Sequence, residues 1–264
     1  MFVVAIIALH TPLEAEAAAL ATDLGSTAYE QRLHLTSGTP AVVLTTPDPD
    51  RARALLRSVR GRGHEAVAFD ASAIVPSGEM LPLRRGRLDP EGITAEEPAA
   101  THTPGALGRL PFEDILALIR ASQRVRLETT VEVKEQKIGL GRAVTTGGLV
   151  MTKTVTRQQT RVSDERAEVL YLYRRSGELP WILRERSASY TWLGDRIAPV
   201  SLQNFRQTVA LLRERAPRAH YDERLTGPRR ALPAAGEPSA ASSDPTADLL
   251  AHALALWASR QAPA

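Results

Sequence analysis

Histidine and cysteine, the side chains that most often hold metals or attack substrates, are sparse in this sequence. Six histidines are spread along the chain with no pair at helical or zinc-finger spacing: His10, His34, His64, His102, His220 and His252. Cysteine is absent, which excludes disulfides, thiolate zinc sites and cysteine nucleophiles. A metal site would need distant residues to meet in the fold, so we predict no metal ion.

Motifs for nucleophilic or phosphate chemistry are also missing. No serine lies in a Gly-x-Ser-x-Gly elbow. Residues 139–142 read Gly-Leu-Gly-Arg, but the Gly-Lys-Ser/Thr of a phosphate-binding loop does not follow them. Glu113 and Asp114 adjoin each other, yet neighbours on a strand point to opposite faces and would not act together.

One further polar group lies near Trp181, at residues 184–186, which read Arg-Glu-Arg. This group is either a polar patch or part of a strand with one charged face. Because no constellation for reaction chemistry stands out, we predict a non-catalytic protein without a cofactor. An enzyme whose site is assembled from distant residues is the alternative.

The main cluster of basic residues lies in 124–161. Against three glutamates, this segment carries Arg124, Arg126, Lys134, Lys137, Arg142, Lys153, Arg157 and Arg161. The candidate binding residues are Lys134, Lys137, Arg142, Lys153, Arg157 and Arg161. Alternation at 129–133 and 151–156 predicts a long β-hairpin that turns near Gly147 and Gly148. Such a hairpin suits an anionic membrane surface, nucleic acid or an acidic partner. Alternatively, its charges only keep two solvated strands from aggregating.

Composition limits the class of protein. The chain of 264 residues is 43% hydrophobic and 24% charged, which is typical of a globular protein with one large or two ordinary domains. Nucleic-acid binders usually carry a stronger excess than the net charge of +3 found here. The apolar run 2–9 lacks a basic flank and is too short for a membrane span, so it predicts a buried strand. We therefore expect a cytoplasmic protein without a transmembrane segment.

Residues 1–72 alternate between strand and helix patterns. Strands are predicted at 2–9, 41–44 and 65–69, and helices begin after Thr11-Pro12, after Ser26 or Thr27, and at Asp48-Pro49. Thr11 and Glu14 have capping-box spacing, and Gly25 ends the first helix. The inward-facing residues of the second helix are expected to be Tyr29, Leu33 and Leu35. The order β-α-α-β-α-β predicts a small sheet with helices on one face.

This order of elements resembles the C-terminal domain of the bacterial ribosomal stalk protein over residues 2–70. The resemblance implies a small α/β domain. In that family, a lysine-rich helical face recruits translation factors. Because the second helix here carries Glu30, Gln31 and Arg32 instead, that function is not carried over.

Residues 80–225 are predicted to form a β-rich domain after a linker at 71–82. Strands are predicted at 83–88, 93–95, 169–173, 181–186 and 190–193, and Ser201 is predicted to cap a helix that Pro217 ends. Residues 110–125 fit a helix or a strand by periodicity alone, and we favour a strand at 115–120 after a short turn at 112–114. Several strands closed by one helix resemble the pleckstrin-homology-like barrel over residues 83–217. Asp89 and Glu91 replace the basic first hairpin loop of its phosphoinositide-binding members, which argues against that ligand. The predicted fold class is α+β.

The last part of the chain is predicted to be a flexible linker at 226–245 and a helix at 246–261, whose apolar side carries Leu249, Leu250, Ala253, Leu254 and Trp257. This helix would dock on the body of the chain or on another protein. The leading hypothesis is a two-domain binding or scaffolding protein with a protein partner. The alternatives are electrostatic binding of nucleic acid or an anionic membrane surface through 124–161, and an enzyme.

Overall fold

The computed structural model describes residues 1–96, 108–138, 152–227 and 244–261, with the main chain alone for 124–138 and 152–165. The predicted α+β class is confirmed. Among the helices of the described residues, none is long and apolar enough to cross a membrane.

The N-terminal part has the predicted order of elements. They are β1 (Phe2–Ala8), α1 (Leu13–Leu24), α2 (Ala28–Leu35), β2 (Ala41–Thr46), α3 (Pro49–Gly61) and β3 (Glu65–Asp70). β1 lies in the centre of a three-stranded sheet and pairs antiparallel with both β2 and β3. One face of β1 packs on the helices, because Val4 and Ile6 share an apolar cluster with Leu20, Leu55 and Val59.

Local capping signals set most of these boundaries. Asp48 caps α3 by accepting from two backbone N–H groups, and Thr27 forms a capping box with Glu30 at the start of α2. Gly25 ends α1 in the left-handed conformation, at φ 68°. Two expectations are wrong: Pro12, without a side-chain cap, precedes α1 in place of Thr11, and Tyr29 is 64% exposed.

The later part of the chain is rich in strands. Its elements are β4 (Leu81–Pro82), β5 (Gly86–Leu88), β6 (Gly92–Ala95), β7 (Arg109–Pro111), β8 (Ile115–Ile138), β9 (Thr152–Arg174), β10 (Trp181–Arg184), α4 (Ser201–Arg215), β11 (His220–Leu225) and α5 (Pro245–Gln261). Five strands form a sheet in the order β11-β8-β9-β10-β4, and β5-β6-β7 form another. These described strands make open sheets, so they do not close the barrel that the pleckstrin-homology-like resemblance implies.

Two local predictions in this part need correction. Residues 190–193 do not form a strand, because Tyr190 has a positive φ and a 3₁₀ helix runs over Thr191–Arg196. Ser201 does not cap α4, since its hydroxyl donates to the backbone oxygen of Glu185 instead.

The described residues of 124–138 and 152–166 belong to a compact unit of their own. This unit contains residues of β8 and β9, which are neighbouring strands of the five-stranded sheet. The turn predicted near Gly147 and Gly148 lies outside the described residues. So do residues 228–243 of the predicted linker.

Helix α5 belongs to the core of the larger unit, which comprises residues 1–123 and 167–264. Ala253 and Leu254 of α5, both fully buried, share an apolar cluster with Ala5 of β1, Ile119 of β8 and Tyr171 of β9. Side chains of the three-stranded sheet, the five-stranded sheet and α5 therefore pack together in one apolar layer. Residues 1–72, the strand-rich part and α5 thus contribute to a shared apolar cluster, and α5 docks within its own chain.

The opposite face of the five-stranded sheet packs on α4 and on the β5-β6-β7 sheet. Residues alternate along the strands, so that Leu118, Leu170 and Leu172 contribute to this second cluster together with Phe205 of α4. The segment between β10 and α4 lies on the same side, where Tyr190 and Leu193 join the cluster.

Candidate interaction surface

The predicted basic residues lie on two neighbouring strands. Lys134 and Lys137 belong to β8, and Lys153, Arg157 and Arg161 belong to β9. Arg142 lies outside the described residues, as do the side chains of the other five. Their action as one binding set therefore stays a prediction.

Glu113 and Asp114 lie in a 3₁₀ turn, Phe112–Asp114, which confirms the short turn predicted before the strand. The carboxylate of Asp114 accepts from Nε of Arg174 at 2.6 Å and from the backbone N–H of Ser176 at 2.8 Å. Although burial acts to raise the pKa of Asp114, these hydrogen bonds outweigh it and hold the pKa below its ordinary value. Asp114 therefore stabilises the contact between this turn and the end of β9.

Glu113 lies between two adjoining clefts of about 690 and 1000 Å³, which also share Arg218. Charges of both signs line them. In the smaller cleft, Arg109 is paired with Asp89 and Glu91. The clefts therefore do not present one excess charge to a ligand.

A buried cluster joins α1 to the end of α3. Glu16, which is 1% exposed, accepts two hydrogen bonds from the guanidinium of Arg62 and approaches Nε2 of His64 at 2.6 Å. The backbone N–H of His10 donates to Nδ1 of His64, so Nε2 carries the proton and donates to Glu16. Since both ring nitrogens are engaged, His64 stabilises the fold and is not placed for proton transfer.

A second buried network ties α5 to the five-stranded sheet. Asp248 accepts from the hydroxyl of Tyr171 at 2.7 Å and from the backbone N–H of Ser77 at 2.9 Å. Gln123 donates to the same hydroxyl at 2.6 Å, and Arg184 donates to the backbone oxygen of Ser77. Burial raises the pKa of both Asp248 and Tyr171. Arg184 of the predicted polar patch therefore points into the core.

Among the residues that the structure describes, no three His, Asp or Glu side chains are grouped as metal ligands.

The segment between β10 and α4 exposes aliphatic side chains. Within the 197–200 loop, which reads Ile-Ala-Pro-Val, Ile197 is 47% exposed and Val200 is 58% exposed. Pro199 between them is also exposed. Large aliphatic side chains at this degree of exposure lose contact with water when a partner covers them, which favours binding.

The side chain of Asn204 on α4 is hydrogen-bonded to the backbone of the 197–200 loop. The amide oxygen of this buried residue accepts from the backbone N–H of Ala198 at 2.7 Å, and its amide nitrogen donates to the carbonyl of Ala198 at 2.8 Å. Both the backbone N–H and the carbonyl of Ala198 are thus bonded to the side chain of Asn204. These two bonds favour a single conformation of the exposed loop in the unbound protein.

Other hydrogen bonds fix the segment that leads into the loop. The hydroxyls of Tyr190 and Ser201 both donate to the carbonyl of Glu185, at 2.6 and 2.7 Å. The indole N–H of Trp192 donates to Thr208 of α4 at 3.0 Å. Tyr190 has a φ of 56°, which is rare for a bulky residue and persists only where surrounding contacts impose it. The whole segment is therefore built on a rigid frame.

Exposed arginines lie on this segment and in or next to β5. We call them the arginine surface: Arg84, Arg85, Arg87, Arg186 and Arg196. The first three lie in or next to β5, whose backbone is bonded to the same segment, because Ser189 donates to the carbonyl of Arg84 and Thr191 to that of Gly86. The arginine surface and the 197–200 loop thus share one stretch of scaffold.

Sequence reasoning noticed Arg186 within the group at 184–186 but missed the rest of this surface. The arginines are divided among three short segments, and each looks like ordinary solvated charge. A usable signal was present in Gly194 and in the apolar tetrapeptide before Ser201, which together are typical of a shaped loop rather than a strand.

Comparison with known proteins gives no assignment. No family model matches the chain, and no curated protein or solved structure matches it significantly.

Proposed function

We propose that this protein is a non-catalytic binding module that engages a protein partner through the 197–200 loop. The observation that carries the proposal is the clamp of Asn204 on Ala198, which holds exposed Ile197 and Val200 in one conformation. Binding loops on a rigid scaffold are a common form of recognition site.

Rigidity matters because association costs free energy when a loop must be ordered. A loop that is already fixed avoids this cost, so two aliphatic side chains contribute more of their burial energy to affinity. Burying a fully exposed side chain of this size supplies about 1.5–3 kcal/mol, and Ile197 and Val200, which are about half exposed, have roughly half of that left to gain. The arrangement therefore supports Ile197 and Val200 as anchors in a partner's pocket.

The test is site-specific crosslinking in the native cells. A photoreactive amino acid placed at Val200 should yield a discrete crosslinked protein. Ile197→Ser should abolish that product because it removes the neighbouring anchor while leaving the buried frame intact. The matched control is a photoreactive residue at Tyr29, an exposed position on α2, which should not yield the same product.

Unfolding temperatures of the variants separate loss of binding from loss of fold. Ile197→Ser should unfold within a few degrees of the wild type, since surface changes cost about 0.5 kcal/mol or less. A partner that crosslinks equally well with and without Ile197 would contradict the proposal.

A second candidate function is binding of nucleic acid or an anionic membrane surface through residues 124–161. The observation in its favour is that β8 and β9, which carry Lys134, Lys137, Lys153, Arg157 and Arg161, are neighbouring strands. Affinity for DNA or for anionic vesicles should then fall steeply with salt and fall further in Arg157→Glu and Arg161→Glu. A salt-insensitive affinity would reject this function.

A further inference from the structure

From the arginine surface we infer that the partner segment held at the 197–200 loop is an acidic stretch of polypeptide with aliphatic residues. This inference rests on the proposed function, and it adds the chemistry of the partner. It is carried by a different observation, namely the charge around the loop rather than the shape of the loop.

The backbone contacts place these charges close to the loop. Ser189 donates two hydrogen bonds to the carbonyl of Arg84, at 2.8 Å from its backbone N–H and at 3.2 Å from its hydroxyl. Thr191 follows two residues later and opens the 3₁₀ helix that ends at Arg196, the residue before Ile197. Strand β5 and the residue pair before it are therefore hydrogen-bonded to the segment that carries Ile197 and Val200.

The balance of charge on this face is positive. Among its described residues, exposed Arg84, Arg85, Arg87 and Arg196 stand against exposed Asp195 and Glu96. Glu96 lies 4.0 Å from Nε of Arg87, and both side chains are largely exposed, so this ion pair is weak. A carboxylate of a partner can replace it with little loss, and the guanidinium geometry suits a carboxylate in a two-pronged hydrogen bond.

Aliphatic anchors beside arginines match the anatomy of a protein interface, in which an apolar centre has a charged rim and arginine is enriched. Single-stranded nucleic acid would instead need aromatic faces on which to stack bases. The aromatic residues of this segment are not free for that purpose, because Tyr190 is buried against Trp192 and Trp192 donates to Thr208. These features favour an acidic peptide over nucleic acid.

The experiment measures binding of fluorescent synthetic peptides to the full chain. The probe is a short peptide of alternating Glu and Leu, compared with one in which Lys replaces Glu and one in which Ser replaces Leu. The same titrations use a single-stranded DNA oligonucleotide and phosphatidylserine vesicles. The protein variants are Arg85→Glu/Arg87→Glu, Ile197→Ser/Val200→Ser, and the control Arg51→Glu/Arg57→Glu, which changes the same charge on exposed positions of α3.

We expect the Glu-Leu peptide to bind, with affinity reduced about tenfold or more by Arg85→Glu/Arg87→Glu and unchanged by the control pair. High salt should weaken binding, and the Lys-Leu peptide should not bind. Absence of Glu-Leu binding would overturn the inference, as would binding that persists in Arg85→Glu/Arg87→Glu. Tighter binding of DNA or of vesicles with the same arginine dependence would also overturn it, in favour of that ligand.

The two sets of variants distinguish this inference from the proposed function. If only Ile197→Ser/Val200→Ser abolishes peptide binding, the loop is the binding site and the acidic character of the partner is wrong. If only the arginine variant abolishes it, the acidic preference stands and the loop is not the anchor.

Discussion

The hydroxyl of Tyr171 on β9 donates a hydrogen bond of 2.7 Å to Oδ1 of Asp248 on α5, 77 residues further along the chain. The same hydroxyl accepts from Gln123 of β8 at 2.6 Å, so one side chain links two strands to the terminal helix. Within an otherwise apolar layer, this bond fixes the position of α5 along the sheet, because a shift would leave the buried groups without partners.

Tyr171→Phe should therefore destabilise the protein. The change keeps the ring but leaves the amide of Gln123 and an oxygen of Asp248 buried without this partner, which costs about 1–3 kcal/mol. Urea unfolding measures the effect. Tyr29→Phe, at an exposed position, is the matched control and should change the free energy of unfolding by less than about 0.5 kcal/mol. Equal effects of the two changes would show that the bond does not stabilise α5.

The pH dependence of stability tests the charge on Asp248. Burial raises its pKa in the folded protein above the ordinary value of 3.8, so the folded state holds this proton more strongly than the unfolded state does. Its contribution to stability is therefore full below pH 3.8 and declines as pH rises through the folded-state pKa. The free energy of unfolding of the wild type minus that of Asp248→Asn should fall over this range. A difference that rises with pH would contradict the shift.

Local features of this fold were predictable from sequence, whereas this network was not. Thr27 and Glu30 are three residues apart, and Asp48 stands directly before a proline, so short-range geometry alone identifies these helix starts. The bond between Ser77 and Asp248 joins residues 171 positions apart. No periodicity within α5 indicates such a partner, and the same apolar pattern would serve a helix docked on another protein.

The 197–200 loop could not be predicted from sequence for a different reason. Aromatic residues at 190–193 favour a strand by propensity, but contacts of buried side chains hold Tyr190 in the left-handed region instead. The clamp of Asn204 on Ala198 could not be read from sequence either, because an asparagine in a helix is usually a solvated residue. Packing decided both features.

Glu16→Ala should be more damaging than any surface change on α1. The substitution leaves the guanidinium of Arg62 and the imidazole of His64 without their buried acceptor. Removing one partner from a buried ion pair costs about 3–5 kcal/mol. Glu14→Ala, on an exposed position of the same helix, should cost less than about 0.5 kcal/mol. Chemical denaturation of both variants checks the contrast, and similar losses would mean that the cluster contributes little.

Asp222 on β11 should give the opposite pH dependence to Asp248. Burial acts to raise its pKa, but His220 and Arg224 outweigh burial and lower the pKa to about 2. Nε of Arg224 lies 3.0 Å from Oδ2 of Asp222. Because the folded-state pKa lies below the ordinary 3.8, the contribution of Asp222 is present above that pH and is lost as pH falls towards 2.

The measurement for Asp222 compares the wild type with Asp222→Asn from neutral pH to acid. From neutral pH to the acid end of the titration, the free energy of unfolding of the wild type minus that of Asp222→Asn should fall by about 2 kcal/mol, which corresponds to the size of the shift. If the difference stays constant across the range, the pairing with Arg224 does not hold the carboxylate in its charged form.

Gly86 in β5 is required by the close approach of β6. A Cβ at this position would lie 2.4 Å from the backbone oxygen of Thr94, a distance that forces the two strands apart. Gly86→Ala should therefore lower the free energy of unfolding by about 1–3 kcal/mol. Gly78→Ala is the matched control, since nothing lies within 4 Å of its Cβ position, and it should be neutral or slightly stabilising. Because β5 also carries Arg87, Gly86→Ala should weaken the binding of an acidic peptide as well as lower the stability. Unchanged thermal unfolding would show that β5 can move away from β6 without cost.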